Sequence, residues 1–166
     1  KGAPVFLKKY NITALSLGNN HSMDYGKGGL DETMFALSSN GINYFGAGAD
    51  SIQAAEPFIK DFENFKLAVF GGFEFRGKYD TLYDFYAGNT KAGVNMLDTG
   101  AIASQIREYR KKFQDIFIII YPHWGSNYKP ASEEQKVSAH KFIDAGADMV
   151  IGHGAHTIQE VEHYNG

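Results

Sequence analysis

The stretch Ile116-Phe117-Ile118-Ile119-Ile120-Tyr121 constrains this chain more than any other, because it is apolar without interruption and has the length of a strand. With no polar alternation, it predicts a strand covered on both faces, which helices normally provide. Helical patterns do alternate with strand-like runs along the chain. Leu30, Met34 and Leu37 recur at helical spacing, with Asp31 and Glu32 suited to the positive N-terminus and Gly41 placed to close the helix. Ile102, Ile106, Tyr109 and Phe113 form a second stripe that Thr99 can cap, with Lys111 and Lys112 near its C-terminal end. Ser132-Glu133-Glu134-Gln135 has the spacing of a capping box and opens a third helix that Gly146 can end.

Strand-like runs fall at 12–17, 42–45, 58–62, 66–70, 116–121 and 149–151, with 58–62 and 66–70 forming an antiparallel pair. This alternation predicts an α/β layer architecture. Residues 71–89 carry many aromatics without a clean period and read as an irregular excursion. Glu160 to Tyr164 alternates like a strand, and Asn165-Gly166 after it is a hairpin signal, so a partner strand is expected to follow. With Lys1 at the start in place of Met, both ends read as cuts. Residues 1–166 are therefore expected to form a single partial domain, truncated at both ends.

Composition removes several function classes. A net charge of −3 gives no electrostatic case for nucleic acid or an anionic membrane surface as partner. Cysteine is absent, so any metal must sit on His, Asn, Asp or Glu. No apolar run approaches the roughly 18 residues of a spanning helix, and Lys1-Gly2-Ala3-Pro4 is not a signal peptide.

The histidines give the functional signal. Three strand-like runs each lead into a Gly-bearing loop with imidazoles: His21 after the first, His123 after the central one, His153 and His156 after the last. Sites in α/β sheets collect beyond the carboxyl ends of strands, so these loops are expected to converge. Each loop also has a structural reading. Asn19-Asn20-His21 can be a turn using Asn for left-handed angles, His123 beside Trp124 a packed core histidine, and His153 with His156 part of a flexible surface loop. Asp24 can be a ligand, an orienting carboxylate or a turn residue; His140 and His163 read as structural or surface. Imidazoles with an Asn amide suit Zn, Fe or Mn, and such a site supports metal-assisted hydrolysis or transfer at an oxyanion-rich substrate.

The residues also form ordered blocks. Leu15-Ser16-Leu17-Gly18-Asn19-Asn20-His21-Ser22-Met23-Asp24-Tyr25-Gly26, then Gly29-Leu30, then Gly46-Ala47-Gly48, resemble the signature of the bacterial CapA family of capsule and poly-γ-glutamate biosynthesis proteins. His123-Trp124-Gly125, Asp144-Ala145-Gly146-Ala147-Asp148, and Gly152-His153 with His156 are similar to its later blocks. The resemblance implies a metallophosphatase-like (calcineurin-like) α/β/β/α sandwich, present here as an incomplete domain. It implies Asn20, His123, His153 and His156 as metal-site residues, and His21 with Asp24 as the catalytic pair. It implies divalent ions (Mn, Fe or Zn), two of them in the complete protein, and a phosphoesterase-like hydrolase whose upstream aspartate ligands lie outside this stretch.

The partners implied are an anionic, poly-γ-glutamate-like cell-envelope polymer or a phosphoester substrate, together with other capsule-biosynthesis proteins. The location implied is extracytoplasmic, with a membrane-anchored parent. The chain departs from the family pattern at Gly154 and Ala155, where many members carry His and Pro, and at Asn127, where Glu is frequent. These departures favour a rival reading, a non-catalytic polymer-binding or assembly subunit that keeps the fold. A degenerate domain with a structural role only is the third.

Overall fold

A computed structural model describes residues 2–165. The chain is mixed α/β. In order it forms α1 (Ala3–Lys9), β1 (Ala14–Ser16), α2 (Gly26–Ser38), β2 (Asn43–Phe45), β3 (Ala47–Gly48), α3 (Ser51–Ala55), β4 (Phe58–Asp61), β5 (Lys66–Phe73), α4 (Gly77–Tyr83), β6 (Gly93–Val94), α5 (Thr99–Lys112), β7 (Ile116–His123), α6 (Glu133–Asp144) and β8 (Met149–Val150). Among the described residues no helix is long and apolar enough to cross a membrane.

The main sheet has the order β4-β5-β7-β8, with β4 antiparallel to β5 and the other pairings parallel. Its two central strands are in register from Lys66 opposite Ile116 to Phe73 opposite His123. Period-two alternation sends Ile116, Ile118 and Ile120 to one face, where Ile102, Ile106 and Phe142 of α5 and α6 cover them. The opposite face is less covered than the apolar run predicts: Phe117 is 37% exposed. Arg110 on α5 ties these layers together. Its guanidinium bonds the carbonyls of Gly146 and Ile116 and the carboxylate of Asp148, which also accepts the Ile118 amide at 2.7 Å.

Helix boundaries follow local chemistry. Ser132 and Gln135 make the expected reciprocal capping box on α6, and Gly146 follows that helix at φ +111°. The cap of α5 is Asp98, not Thr99, because the Asp98 carboxylate reaches the Ala101 amide at 2.8 Å. Thr99 instead donates to Ser138 at 3.1 Å, joining α5 to α6. Helix α2 starts at Gly26, so Asp31 and Glu32 lie beyond its first turn, and Asp31 pairs with Lys27 one turn earlier at 2.6 Å.

Two further expectations are corrected. The aromatic stretch is not wholly irregular: β5 continues to Phe73 and α4 follows. Its helical period was hidden because its aromatics pack as a knot, with Phe73, Tyr79, Phe85 and Tyr86 in edge-on and stacked pairs 5.2–6.3 Å apart. Glu160 to Tyr164 is not a strand, since it has no ladder partner among the described residues, and Val161 stands out in solvent. The Asn165-Gly166 turn lies partly outside the described residues.

β1 pairs with β2 in a separate two-stranded parallel sheet, not with β7. Convergence of its loop with the others therefore depends on packing between sheets. Gly18 provides it: a Cβ there would lie 2.7 Å from the Gly72 nitrogen, so only glycine lets the end of β1 press on the end of β5.

Candidate functional site

Because β7 and β8 are parallel neighbours, their loops leave from the same edge of the sheet. The ladder continues past the strands: His153 donates its amide to the Pro122 carbonyl at 3.0 Å, and Trp124 donates to the His153 carbonyl at 2.9 Å. This places the imidazoles of His123 and His153 edge to face, 4.7 Å between centroids. Nδ1 of His123 and Nε2 of His153 are both buried and have no hydrogen-bond partner among the described residues. An unpaired buried polar atom costs about 1–3 kcal/mol, so each of these two nitrogens, in adjoining rings, is a donor or acceptor left uncompensated by the protein.

Burial also keeps both rings neutral. The His123 pKa falls from 6.5 to about 4, first through burial and then through the crowding of other cationic or protonatable groups, among them His153 and Arg76. Burial lowers His153 as well, with the Tyr121 backbone acting in opposition. A neutral imidazole with an open nitrogen is the form that binds a metal.

Around His123 lies a small polar cavity of about 70 Å³, walled by Asn20, Arg76, Asn127 and His156 among others. His156 sits at φ +55°, a left-handed angle uncommon outside glycine, and packs on Tyr128 with ring centroids 5.9 Å apart. Gly154 at φ +104° leaves room for His123, since a Cβ there would meet the imidazole at 2.6 Å.

His21 and Asp24 line a neighbouring, larger cavity of about 280 Å³ that shares Asn20 and Tyr79 with the small one. His21 Nδ1 is 2.8 Å from the Asp24 carboxylate, and its Nε2 is 3.3 Å from the Asn20 amide. Thus five of the six residues singled out in the sequence line two adjoining cavities, while His153 lines neither and packs behind His123. Among the described residues no group of three or more His, Cys, Asp or Glu side chains is arranged to hold a metal ion. His140 and His163, expected to be structural or surface residues, line neither cavity, and His140 is stacked on Tyr164 at 3.8 Å and bonded to Glu162.

The profile of the bacterial capsule synthesis protein PGA_cap matches residues 3–166. The chain belongs to this capsule synthesis family. It is 32% identical over 162 residues to the PGA biosynthesis protein CapA of Bacillus subtilis (strain 168), covering 96% of this chain and 41% of that protein. A probable polyglutamine synthesis accessory protein of Mycobacterium tuberculosis (strain ATCC 25618 / H37Rv) is 34% identical over 161 residues, covering 91% of this chain and 41% of its own length. The capsule biosynthesis protein CapA of Bacillus anthracis is 28% identical over 162 residues, with coverages of 95% and 38%. The chain spans about two fifths of the length of these curated relatives.

In this PGA_cap chain, Glu74 and Arg76 also reach the site, two residues that the motifs of the sequence do not mark. Glu74 follows the end of β5 as His123 ends β7, so it is a strand-end residue like the histidines. Its carboxylate accepts the Gly125 amide at 2.9 Å and holds the Arg76 guanidinium. A carboxylate thus reaches the His123-Trp124-Gly125 loop from a different strand. The available signal was the polar Glu-Phe-Arg break after an apolar run, which the aromatic density of 71–89 obscured.

Proposed function

We propose that this chain carries part of a metal-dependent, phosphoesterase-like hydrolase site on a metallophosphatase-like sandwich, and that the parent protein works in making or exporting an anionic, poly-γ-glutamate-like polymer of the cell envelope. The observation that carries this reading is the pair of buried, unpartnered imidazole nitrogens on His123 and His153, with His123 lining a cavity that adjoins the one lined by His21 and Asp24. The names of the relatives supply the biological setting, PGA and capsule biosynthesis. In keeping with that setting, we propose that the parent works at the extracytoplasmic face of the envelope.

The donor chemistry suits a divalent ion of the Mn, Fe or Zn class. His123 and His153 would hold it, with the Asn20 amide and His156 as further donors from the cavity wall. When bound, such an ion polarises a phosphoryl oxygen and lowers the pKa of water. The remaining steps belong to the chain. Asp24 accepts a hydrogen bond from His21 Nδ1–H and fixes that tautomer, leaving Nε2 to exchange a proton with the substrate. Asn20, bonded to that nitrogen, links the proton-transfer pair to the cavity of His123.

The test is metal content and turnover of the intact protein. Loaded with Mn, Fe or Zn, it is expected to hydrolyse p-nitrophenyl phosphate, and chelation is expected to abolish the activity. Absence of bound metal together with absence of turnover would sink the hydrolase reading. A second reading, a polymer-binding subunit without chemistry, draws support from the lack of a ready three-ligand group among the described residues. Poly-γ-glutamate binding that survives chelation, in a protein without turnover, would establish it instead.

A further inference from the structure

Arg76 is held as a fixed structural element. Its Nε and Nη2 bond Glu74, Nη2 also donates to the Gly125 carbonyl at 2.7 Å, and its backbone amide donates to the Tyr86 hydroxyl at 2.8 Å. Tyr86 donates in turn to the Glu74 carbonyl at 2.6 Å, and burial raises its pKa to about 12, so the hydroxyl stays protonated as this network requires. The guanidinium also lies 5.6 Å from the centre of the Phe73 ring. One edge of the fork is therefore committed, while Nη1 has no partner among the described residues.

Arg76 lines the small polar cavity with Asn20, His123 and His156. At about 70 Å³ the space is roughly twice the ~30 Å³ share of one liquid water, enough for the head of a small oxyanion. A cation whose geometry is fixed before binding loses little freedom when it takes an anionic oxygen.

We propose that the cavity between the ends of β5 and β7 is an oxyanion-binding subsite in which Arg76 Nη1 holds a charged oxygen of the ligand, a phosphoryl or carboxylate group, beside His123. Identifying the ligand as substrate rests on the hydrolase reading above; the subsite itself does not. Glu74 acts as the positioning residue that keeps the free edge of Arg76 turned to the cavity.

The experiment is calorimetric titration of the intact, metal-analysed protein with inorganic phosphate and, separately, with acetate. The favoured anion identifies the source, phosphoryl or carboxylate. Arg76→Ala is expected to weaken the favoured anion by about tenfold to a hundredfold. Added guanidinium ion is expected to restore part of that binding, which a merely structural arginine would not permit. Arg76→Lys keeps the charge without the fork and is expected to lose about tenfold, giving a reading even if the alanine variant unfolds.

Unchanged anion affinity in a folded Arg76→Ala or Arg76→Lys protein overturns the proposal. So does failure of the wild type to bind either anion. Metal content read on the same samples separates the two ideas. Metal retained with Arg76-independent anion binding overturns the subsite and leaves the hydrolase reading standing. Arg76-dependent anion binding in a protein that takes no metal supports the subsite and removes the hydrolase reading.

Discussion

His21→Ala is expected to lower phosphoester turnover of the metal-loaded intact protein by about 10²–10⁴-fold, the usual contribution of a positioned general acid or base. Folding should hardly change. His21 is exposed and its bonds are to Asp24, Asn20 and Asn19 in its own loop, so the stability change should stay within about 0.5 kcal/mol. Metal content should also be retained, because both ring nitrogens of His21 are already engaged, Nδ1 with Asp24 and Nε2 with Asn20. His156→Ala makes the contrast: as a donor on the wall of the small cavity, it should lower metal affinity and lose turnover as a consequence. Retention of both metal and turnover by both variants would make these histidines structural.

Gly154→Val is expected to damage both stability and site. The backbone there has φ +104°, which L side chains rarely adopt, and a Cβ would lie 2.6 Å from Cδ2 and Nε2 of His123. Backbone strain of this kind costs about 1–3 kcal/mol, and a β-branched side chain adds overpacking against the imidazole. Relief requires either His123 or the 152–156 loop to move, so metal binding should be lost even in molecules that remain folded. Thermal unfolding and metal content measured together check this; a variant with wild-type values of both would show that the loop does not depend on that approach. At this backbone angle an added imidazole would collide with His123, so the glycine is part of how this loop is built.

Features written in local chemistry were legible from the sequence. The Ser132–Gln135 capping box depends on neighbouring residues alone, as does the antiparallel pairing of β4 with β5 across a short connection. The strand-end histidines were legible because apolar runs ending in Gly and His mark strand ends. What depended on register or sheet packing was not legible. The convergence of His21 with His123 needs Gly18 against Gly72, a contact between two sheets. Arg76 needs the register of β5 on β7, which brings Phe73 opposite His123 and Glu74 to the Gly125 amide. Alternation at Glu160 to Tyr164 misled, because period two describes a strand only when another strand is there to pair with it.

If the loops from β7 and β8 present one set of imidazoles, together with Asn20, to one divalent ion, those imidazoles must respond to the ion as a unit. This is tested most directly by titrating the intact, isotope-labelled protein with Zn²⁺ and following the imidazole ¹⁵N resonances. His123 and His153 are predicted to shift together on a single saturating isotherm, accompanied by His156, while His140 and His163 do not follow it. Separate isotherms for His123 and His153, or Zn²⁺ shifts confined to His140 and His163, would contradict a shared site.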